Sequence, residues 1–266
     1  MITYPFKYKR AKSVADAEAL LKGAPEAKLL AGGQTLIAAM KMRLANPSDL
    51  VDISGLKELS YIREANGAIA IGAATTHFEV ATSAVVTRSI PALAHLASII
   101  GDPAVRHKGT LGGSVANNDP AADYPAAVLG LGATIKTNKR SIAADDFFTG
   151  MFSTALAAGE IITEVSFPVP EKASYMKFPN PASRYAMAGV FVARTKSGVR
   201  VAVTGAGPCV FRVPAMEAAL AKGFTPDAIA GIAIASEGLN SDIHGSAEYR
   251  AHLVGVMAKR AVAEAA

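Results

Sequence analysis

The sequence predicts an α+β protein built from two larger regions, the first of which is itself divided. Strand and helix signals alternate along the 266 residues, a proline-rich segment at 168–172 marks a change of composition, and we find no internal repeat. A chain of this length is long enough for two or three modest domains. We therefore expect domains at 1–55, 56–170 and 171–266.

The first segment has the pattern of a β/α unit. Residues 27–31 predict a short strand that runs directly into the loop 32–35. Apolar side chains then recur at four-residue spacing over 36–44, which is typical of an amphipathic helix. The Asn-Pro pair at 46–47 is expected to end that helix.

The middle segment opens with a predicted strand at 68–73 and continues with helices. Thr76 and Glu79 have the spacing of a capping box, which predicts a helix start. Pro91 suits the first turn of another helix, whose apolar stripe runs over 93–100.

A third helix and further strands follow in the sequence. Asp119, followed by Pro120, is interpreted as the N-cap of a helix that reaches residue 129. Residues 133–142 predict a hairpin and 159–167 a strand. The C-terminal region offers a half-buried strand at 199–204 and a helix with its buried stripe at 253–261.

Composition excludes several classes of protein. No apolar stretch approaches the 18 to 20 residues of a membrane span, and the N-terminus has no signal-peptide pattern, so we expect a cytoplasmic protein. The formal charge is +5, but the basic residues are dispersed. That favours a solvated surface or an acidic protein partner over nucleic acid.

Metal and cluster chemistry is not expected on this chain. An iron–sulfur cluster needs about four thiolates, and Cys209 is the single cysteine. The five histidines show no ligand spacing. We interpret Cys209 as a small buried apolar residue.

Two glycine pairs are the main chemical signal. Gly32-Gly33 follows a strand and opens a helix, and Gly112-Gly113 has a similar setting. Glycine allows backbone N–H groups to approach an anion such as a pyrophosphate, and a helix N-terminus adds partial positive charge. Ordinary turns remain the alternative, and neither pair fits the GxGxxG or P-loop pattern.

The second pair lies in a long polar segment, 100–123, which we expect to be a functional loop without regular structure. Thr110 and Ser114 offer hydroxyl groups there. Asp123 is open to two interpretations: an acceptor for sugar or polyol hydroxyls, or a carboxylate in the first turn of a helix.

Several ordered motifs together resemble the FAD-binding subunits of the xanthine dehydrogenase and aerobic carbon monoxide dehydrogenase family, over almost the whole chain. The motifs are Ala31–Leu36 with Met40–Arg43, Asp102-Pro103 with Arg106, Gly109–Ser114, Asn118–Asp123, Ala182–Met187 and Gly238–Arg250.

The resemblance implies a two-subdomain FAD fold of the vanillyl-alcohol-oxidase type, followed by a C-terminal α/β domain. Residues 1–55 and 56–170 would be the two FAD-binding subdomains. The implied pyrophosphate loops are 31–36 and 110–114, and Asp123 would bond the polyol and phosphate region. The FAD-contacting residues implied are Leu29, Leu30, Ala31, Gly32, Gly33, Gln34, Thr35, Leu36, Ile100, Gly101, Thr110, Leu111, Gly112, Gly113, Ser114, Asp123, Ile161, Ile162, Lys177 and Tyr185.

Some of these positions keep a structural alternative. Ile161 or Ile162 would pack near the adenine, or be an ordinary buried strand residue. Tyr185 would cover one flavin face, or pack under a loop. Many relatives have Asn where this chain has Ser114, which leaves the detail of that contact open.

The resemblance also implies partners. The chain would receive electrons from 2Fe-2S clusters on a small subunit, beside a large molybdopterin-binding subunit, in a dimer of heterotrimers. FAD would pass the electrons to an external acceptor. Two other hypotheses remain: a self-sufficient FAD-dependent oxidase, and a non-catalytic module whose glycine loops are only turns.

Overall fold

The structure, a computed structural model, describes residues 2–265, which form three packed units with a sheet in each. No helix in that range is both long and apolar enough to cross a membrane.

The first unit is a three-stranded parallel sheet in the order β1-β3-β2, with one helix in each connection. Burial of Val51 and Ala17 places its small core between the sheet and the first helix. The elements are β1 (Lys7–Arg10), α1 (Val14–Lys22), β2 (Lys28–Leu30), α2 (Leu36–Lys41) and β3 (Asp49–Asp52).

Helix α2 is shorter than the apolar spacing predicts. It ends at Lys41, and Arg43 adopts a left-handed conformation with φ of 60°. The side chain of Leu44 is 76% exposed, whereas Met40 is buried. The prediction that Leu44 belongs to the buried stripe is therefore wrong, because the chain turns out of the helix before reaching it.

The second unit is a five-stranded antiparallel sheet in the order β4-β5-β10-β6-β7 with helices packed on it. The capping box at Thr76 and Glu79 is confirmed, and Pro91 is the first residue of its helix. The elements, after a 3₁₀ turn at Lys57–Leu59, are β4 (Ile62–Ala65), β5 (Ala68–Gly72), α3 (His77–Thr82), α4 (Ala84–Ser89), α5 (Pro91–Ser98), α6 (Pro103–Arg106), α7 (Leu111–Asn117), α8 (Tyr124–Gly130), β6 (Thr134–Thr137), β7 (Ser141–Ala143), α9 (Ala144–Phe147), β8 (Phe148–Gly150), β9 (Ser153–Thr154) and β10 (Ile162–Pro168).

The segment 100–123 is more regular than expected, since it contains α6 and α7. Asp119 is not the N-cap of the following helix, which begins only at Tyr124. The Asp119 carboxylate instead accepts from the N–H of Ala121 at 2.9 Å. The Pro120 carbonyl accepts from the backbone of Gly205 at 2.8 Å, which ties this stretch to the third unit and keeps it out of a helix.

The third unit is a four-stranded antiparallel sheet in sequential order. On the strand 186–195, Phe191 faces the second unit and belongs to its core. Val190 and Val192 face the other way and pack in one cluster with residues of the C-terminal helix. The predicted buried stripe of that helix, which includes Leu253 and Met257, is confirmed. The elements are β11 (Lys172–Pro179), β12 (Ala186–Thr195), β13 (Gly198–Thr204), β14 (Phe211–Arg212), α10 (Pro214–Lys222), a 3₁₀ turn (Pro226–Ile229) and α11 (Ala247–Ala265).

The site of Cys209 differs slightly from the expectation of full burial. The residue is half-buried against the core of the second unit. Its sulfur lies 3.5 Å from the side-chain amide of Asn118.

Candidate FAD site

A cavity of about 740 Å³ lies where the three units meet, within the range typical of ligand sites. Most of the predicted site residues line it: Leu29, Ala31, Gly32, Gly33, Gln34, Thr35, Leu36, Ile100, Gly101, Thr110, Gly112, Gly113, Ser114, Asp123, Ile161, Ile162 and Tyr185. The structure thus brings together positions that are far apart in the sequence.

Three predicted residues are not part of the cavity wall. Leu30 points its side chain towards the position that a Cβ of Gly33 would take. Leu111 is fully buried in the core of the second unit. Lys177 is buried beside Asp123.

The first glycine loop presents unused hydrogen-bond donors. Within residues 2–265, the backbone N–H groups of Gly32, Gly33, Gln34 and Thr35 have no acceptor. All four residues line the cavity. Gly33 has a φ of +71°, which a residue with a Cβ rarely adopts. Successive free N–H groups around a concavity are the arrangement that binds a phosphate group.

The second glycine loop plays a different part. The N–H groups of Leu111 and Gly112 donate to the carbonyls of Thr75 and Ala73, and that of Gly113 donates to the Thr110 hydroxyl. Its backbone donors are therefore already used within the protein. What this loop offers a ligand is its surface and the Ser114 hydroxyl, since Ser114 also lines the cavity.

The two loops touch each other. A Cβ on Gly32 would lie 1.9 Å from the carbonyl oxygen of Lys108 and 2.9 Å from the Cα of Gly109. Both atoms belong to the backbone, so no side-chain rotation could relieve the overlap. Only glycine permits this approach of the two loops.

Asp123 anchors a buried polar cluster behind the cavity. Its carboxylate accepts a 2.6 Å hydrogen bond from the Tyr175 hydroxyl and lies 3.0 Å from the Lys177 ammonium, and all three side chains are buried. Burial raises the pKa of the Asp123 carboxyl, and the Lys177 ammonium beside it acts in the opposite direction. Asp123 makes no helix-capping bond. Asp123 lies directly before the first residue of α8, and its carboxylate bonds Tyr175 and Lys177 instead of the backbone of that helix.

Three cationic side chains hold the turn at 99–101, which borders the cavity. Lys177 donates to the Ile99 carbonyl at 2.9 Å, and Arg106 donates to the next carbonyl at 2.9 Å. The Arg184 guanidinium lies 3.5 Å from the third carbonyl, that of Gly101. This turn is thereby fixed against the loop that carries Tyr185.

Tyr185 stands at the cavity mouth, on the loop between β11 and β12. Its side chain is 48% exposed, so the alternative of an aromatic packed under a loop does not describe it. The Asn180 side chain closes this loop by accepting from the N–H groups of Ala182 and Ser183. The position suits a residue that covers one face of a bound ring.

The wall at 157–162 contains residues that the motifs did not indicate. Glu160 holds this segment by accepting from the Arg140 guanidinium at 2.9 Å and from the Ala157 N–H at 2.8 Å. The Arg140 hydrogen bond, with further donors, lowers the pKa of Glu160 to about 2. The carboxylate is thus part of the folded structure and not a free acid at the site.

We expect the Glu160→Gln variant to lose about 2–3 kcal/mol of unfolding free energy at pH 7, since the native pKa lies below the unfolded value. The contribution of the carboxylate is fully present above about pH 4.5 and is lost as the pH falls towards 2. Chemical denaturation at a series of pH values would test this. The difference in unfolding free energy between wild type and variant should shrink as the pH falls from about 4.5 towards 2. A difference that does not change with pH would contradict the stabilising role of the ionised Glu160 carboxylate.

His77 is the main cavity residue that the motifs missed. It lies at the start of α3, is 5% exposed and lines the cavity. Burial, with a smaller effect of the Arg106 guanidinium, lowers the pKa of His77 to about 4, so the ring is neutral near pH 7. The sequence does not mark His77 as a site residue, because a single histidine at a helix start fits no motif. The residue that it contacts in the structure, Gly109, lies in a distant segment of the chain.

Comparison with known proteins agrees with this geometry. Residues 4–170 match the family described as "FAD binding domain in molybdopterin dehydrogenase", and residues 173–265 match the "CO dehydrogenase flavoprotein C-terminal domain". The carbon monoxide dehydrogenase medium chain of Hydrogenophaga pseudoflava is 35% identical, with 98% of this chain and 97% of that protein covered. The nicotine 6-hydroxylase medium subunit of Paenarthrobacter nicotinovorans is 36% identical, with 97% and 96% covered.

A solved structure gives the same result for the fold. The reconstituted CO dehydrogenase from Oligotropha carboxidovorans superposes with a TM-score of 0.93 at 35% identity, covering 100% of this chain and 99% of that one. The expected fold class is confirmed, and FAD is the cofactor that the matched domain binds. The chain belongs to the FAD-binding medium subunits of the xanthine dehydrogenase and aerobic carbon monoxide dehydrogenase family of molybdenum hydroxylases.

Proposed function

We propose that this chain holds FAD in the cavity and relays electrons from 2Fe-2S clusters of a partner subunit to an external acceptor. The observation that carries the proposal is the row of four backbone N–H groups at 32–35 that have no acceptor within the described residues and that line the same cavity as Tyr185. FAD supplies one- and two-electron chemistry when bound, and the protein supplies its position and electrostatic surroundings.

The residues present fit such a ligand. The free N–H groups at 32–35 would hold its diphosphate, and Asp123 would accept from its polyol hydroxyls. The wall at 157–162 would pack against the adenine. Arg106, Lys177 and Arg184 place positive charge beside the turn at 99–101, where the isoalloxazine would lie. Positive charge there would stabilise the negative charge that the ring gains when it is reduced.

The partners proposed are a small 2Fe-2S subunit and a large molybdopterin-binding subunit, in a cytoplasmic dimer of heterotrimers. The names of two relatives support the presence of further subunits, since they are called a medium chain and a medium subunit. We also propose 1–55 and 56–170 as the two FAD-binding subdomains and 171–266 as the C-terminal domain. Residues that bind the substrate oxidised at the molybdenum cofactor would lie on the large subunit.

Metal and flavin analysis of the chain purified with its native partners tests this assembly. We expect one FAD for each medium chain, together with iron and molybdenum. FAD without either metal would contradict the proposal and favour a self-sufficient oxidase. Absence of FAD would favour a non-catalytic module.

Tyr185→Ala is expected to leave FAD bound but to expose one face of the ring, because the side chain stands at the mouth. Reoxidation of the reduced complex by oxygen, followed at 450 nm in a stopped-flow instrument, should become several-fold faster. Tyr185→Phe keeps the ring and is the matched control. Equal reoxidation rates in the Ala and Phe variants would show that Tyr185 does not cover the flavin.

A further inference from the structure

A second, smaller cavity adjoins the large one at Tyr185. Its volume is about 290 Å³, and Tyr185 lines both cavities. The small cavity is also lined by Asp242 and Arg250, which belong to the motif Gly238–Arg250 of the third unit. This C-terminal motif thus meets the residue at the mouth of the large cavity.

Arg250 is the buried centre of this motif. Its side chain is 5% exposed, and its Nη2 donates to the Asp242 carboxylate at 2.7 Å. The other oxygen of that carboxylate accepts from the backbone N–H groups of His244 and Gly245, at 2.9 and 3.2 Å. The turn that contains Asp242 therefore fixes the counter-ion of the guanidinium.

The second terminal nitrogen of Arg250 reaches the backbone beside Tyr185. Its Nη1 donates to the Met187 carbonyl at 2.8 Å and to the Gly205 carbonyl at 3.0 Å. These carbonyls lie at the beginning of β12 and directly after the end of β13. A guanidinium can bond both carbonyls and a carboxylate together because its donors form a rigid planar fork.

The Met187 carbonyl belongs to a β-bulge next to Tyr185. Ala186 and Ala188 have partners in β11, whereas Met187 has none in that ladder within residues 2–265. The pairing of β12 with β13 begins only further along the strand. Bulges next to active sites redirect neighbouring side chains. The orientation of Tyr185, two residues before Met187, therefore depends on how this bulge is held.

Stability alone does not account for an arginine at this position. The Nε atom of Arg250 is buried and makes no hydrogen bond within the described residues, which costs free energy. Replacing a buried ion pair by well-packed apolar residues is often neutral or stabilising. What the ion pair supplies here is a fixed position for the backbone that carries Tyr185.

We propose that Arg250 and Asp242 are positioning residues that hold Tyr185 over the flavin face, through the bulge at Met187. The inference rests on the proposed role of Tyr185 as the cover of the flavin. It gives the C-terminal domain a part in controlling access of oxygen to the cofactor. Without this contact the ring should leave the flavin face while FAD stays bound.

The test is a double-mutant cycle in the intact complex. Reoxidation of the reduced complex by oxygen is followed at 450 nm for Arg250→Met and Asp242→Asn, each with and without Tyr185→Ala. Asp242→Asn is the milder change, since the Asp242 side chain is 45% exposed. Arg260→Met is the matched control, because Arg260 is exposed on the same helix. Flavin absorbance and thermal unfolding confirm FAD content and folding.

We expect both single variants to speed reoxidation, Arg250→Met several-fold and Asp242→Asn less, while Arg260→Met keeps the wild-type rate. In the Tyr185→Ala background both should change the rate by less than about 1.5-fold, since residues that act through one side chain are not additive. Unchanged rates in the single variants, or equal accelerations with and without the Tyr185 side chain, would overturn the inference.

Two further results would also contradict it. Loss of FAD from both single variants would show that the pair supports the whole cofactor site and not Tyr185 in particular. A Tyr185→Ala complex that reoxidises at the wild-type rate would overturn the proposed cover itself, and the inference with it. The first result leaves the role of Tyr185 intact, so the two failures are distinguishable.

Discussion

Replacing Gly32 with alanine is expected to raise the dissociation constant of FAD on the order of 100-fold. The added Cβ would lie 1.9 Å from the Lys108 carbonyl oxygen and 2.7 Å from its carbon. Because both are backbone atoms, the two glycine loops must move apart. That movement would displace the free N–H groups at 32–35 from a bound diphosphate.

The control for this variant is Gly231→Ala, where nothing lies within 4 Å of the added Cβ. Equilibrium dialysis of both variants against FAD, with circular dichroism to confirm folding, gives the comparison. A Gly32→Ala chain that retains FAD as the wild type does would show that the contact between the loops is not required for binding.

Asp123→Ala is expected to cost stability and FAD together. Removing the carboxylate leaves the Lys177 ammonium, whose side chain is 4% exposed, as a buried charge without its counter-ion. Breaking a buried ion pair in this way typically costs about 3–5 kcal/mol. FAD affinity should fall by a further 10- to 100-fold if the carboxylate accepts from the ligand.

A double variant separates the two effects. Asp123→Leu combined with Lys177→Met removes both charges, so most of the lost stability should return. FAD affinity should stay low, because leucine at position 123 has no oxygen that could accept from the polyol hydroxyls. Recovery of FAD binding along with stability would instead show that Asp123 acts only by supporting the fold. Urea denaturation and FAD titration on the same preparations provide both quantities.

The parts of the site that could be predicted are those that local physics determines. A strand that runs into Gly32-Gly33 and then into a helix is a local pattern, as is the capping box at Thr76. The motif resemblance then placed both loops and Asp123 in one site, and most of those residues do line one cavity. The stripe of α11 belongs to the same class. The strand at 199–204 also forms, but the prediction that it is half-buried is wrong, because Ala202 packs on the core of the second unit while Val201 and Val203 pack on the C-terminal helix side.

The remaining features depend on contacts between distant parts of the chain. Lys177 meets Asp123 across 54 residues, so two residues predicted separately for the site form a buried ion pair with each other. Asp119 does not cap a helix, because the carbonyl of the neighbouring Pro120 accepts a hydrogen bond from the Gly205 N–H and holds this stretch in a non-helical conformation. The position of His77 depends on Gly109, which approaches the ring only in the folded protein. None of these pairings has a signature in a single sequence.

The electron relay itself is tested most directly in a complex deprived of FAD. The intact complex and its FAD-free form are reduced with dithionite, desalted anaerobically and mixed with an acceptor that accepts electrons from the intact complex. Electron paramagnetic resonance then follows the reduced 2Fe-2S clusters. We predict that the clusters reoxidise rapidly in the intact complex, stay reduced without FAD, and reoxidise again once FAD is restored to the medium chain. Equally rapid reoxidation with and without FAD would contradict the account, since the clusters would then deliver their electrons without this chain's cofactor.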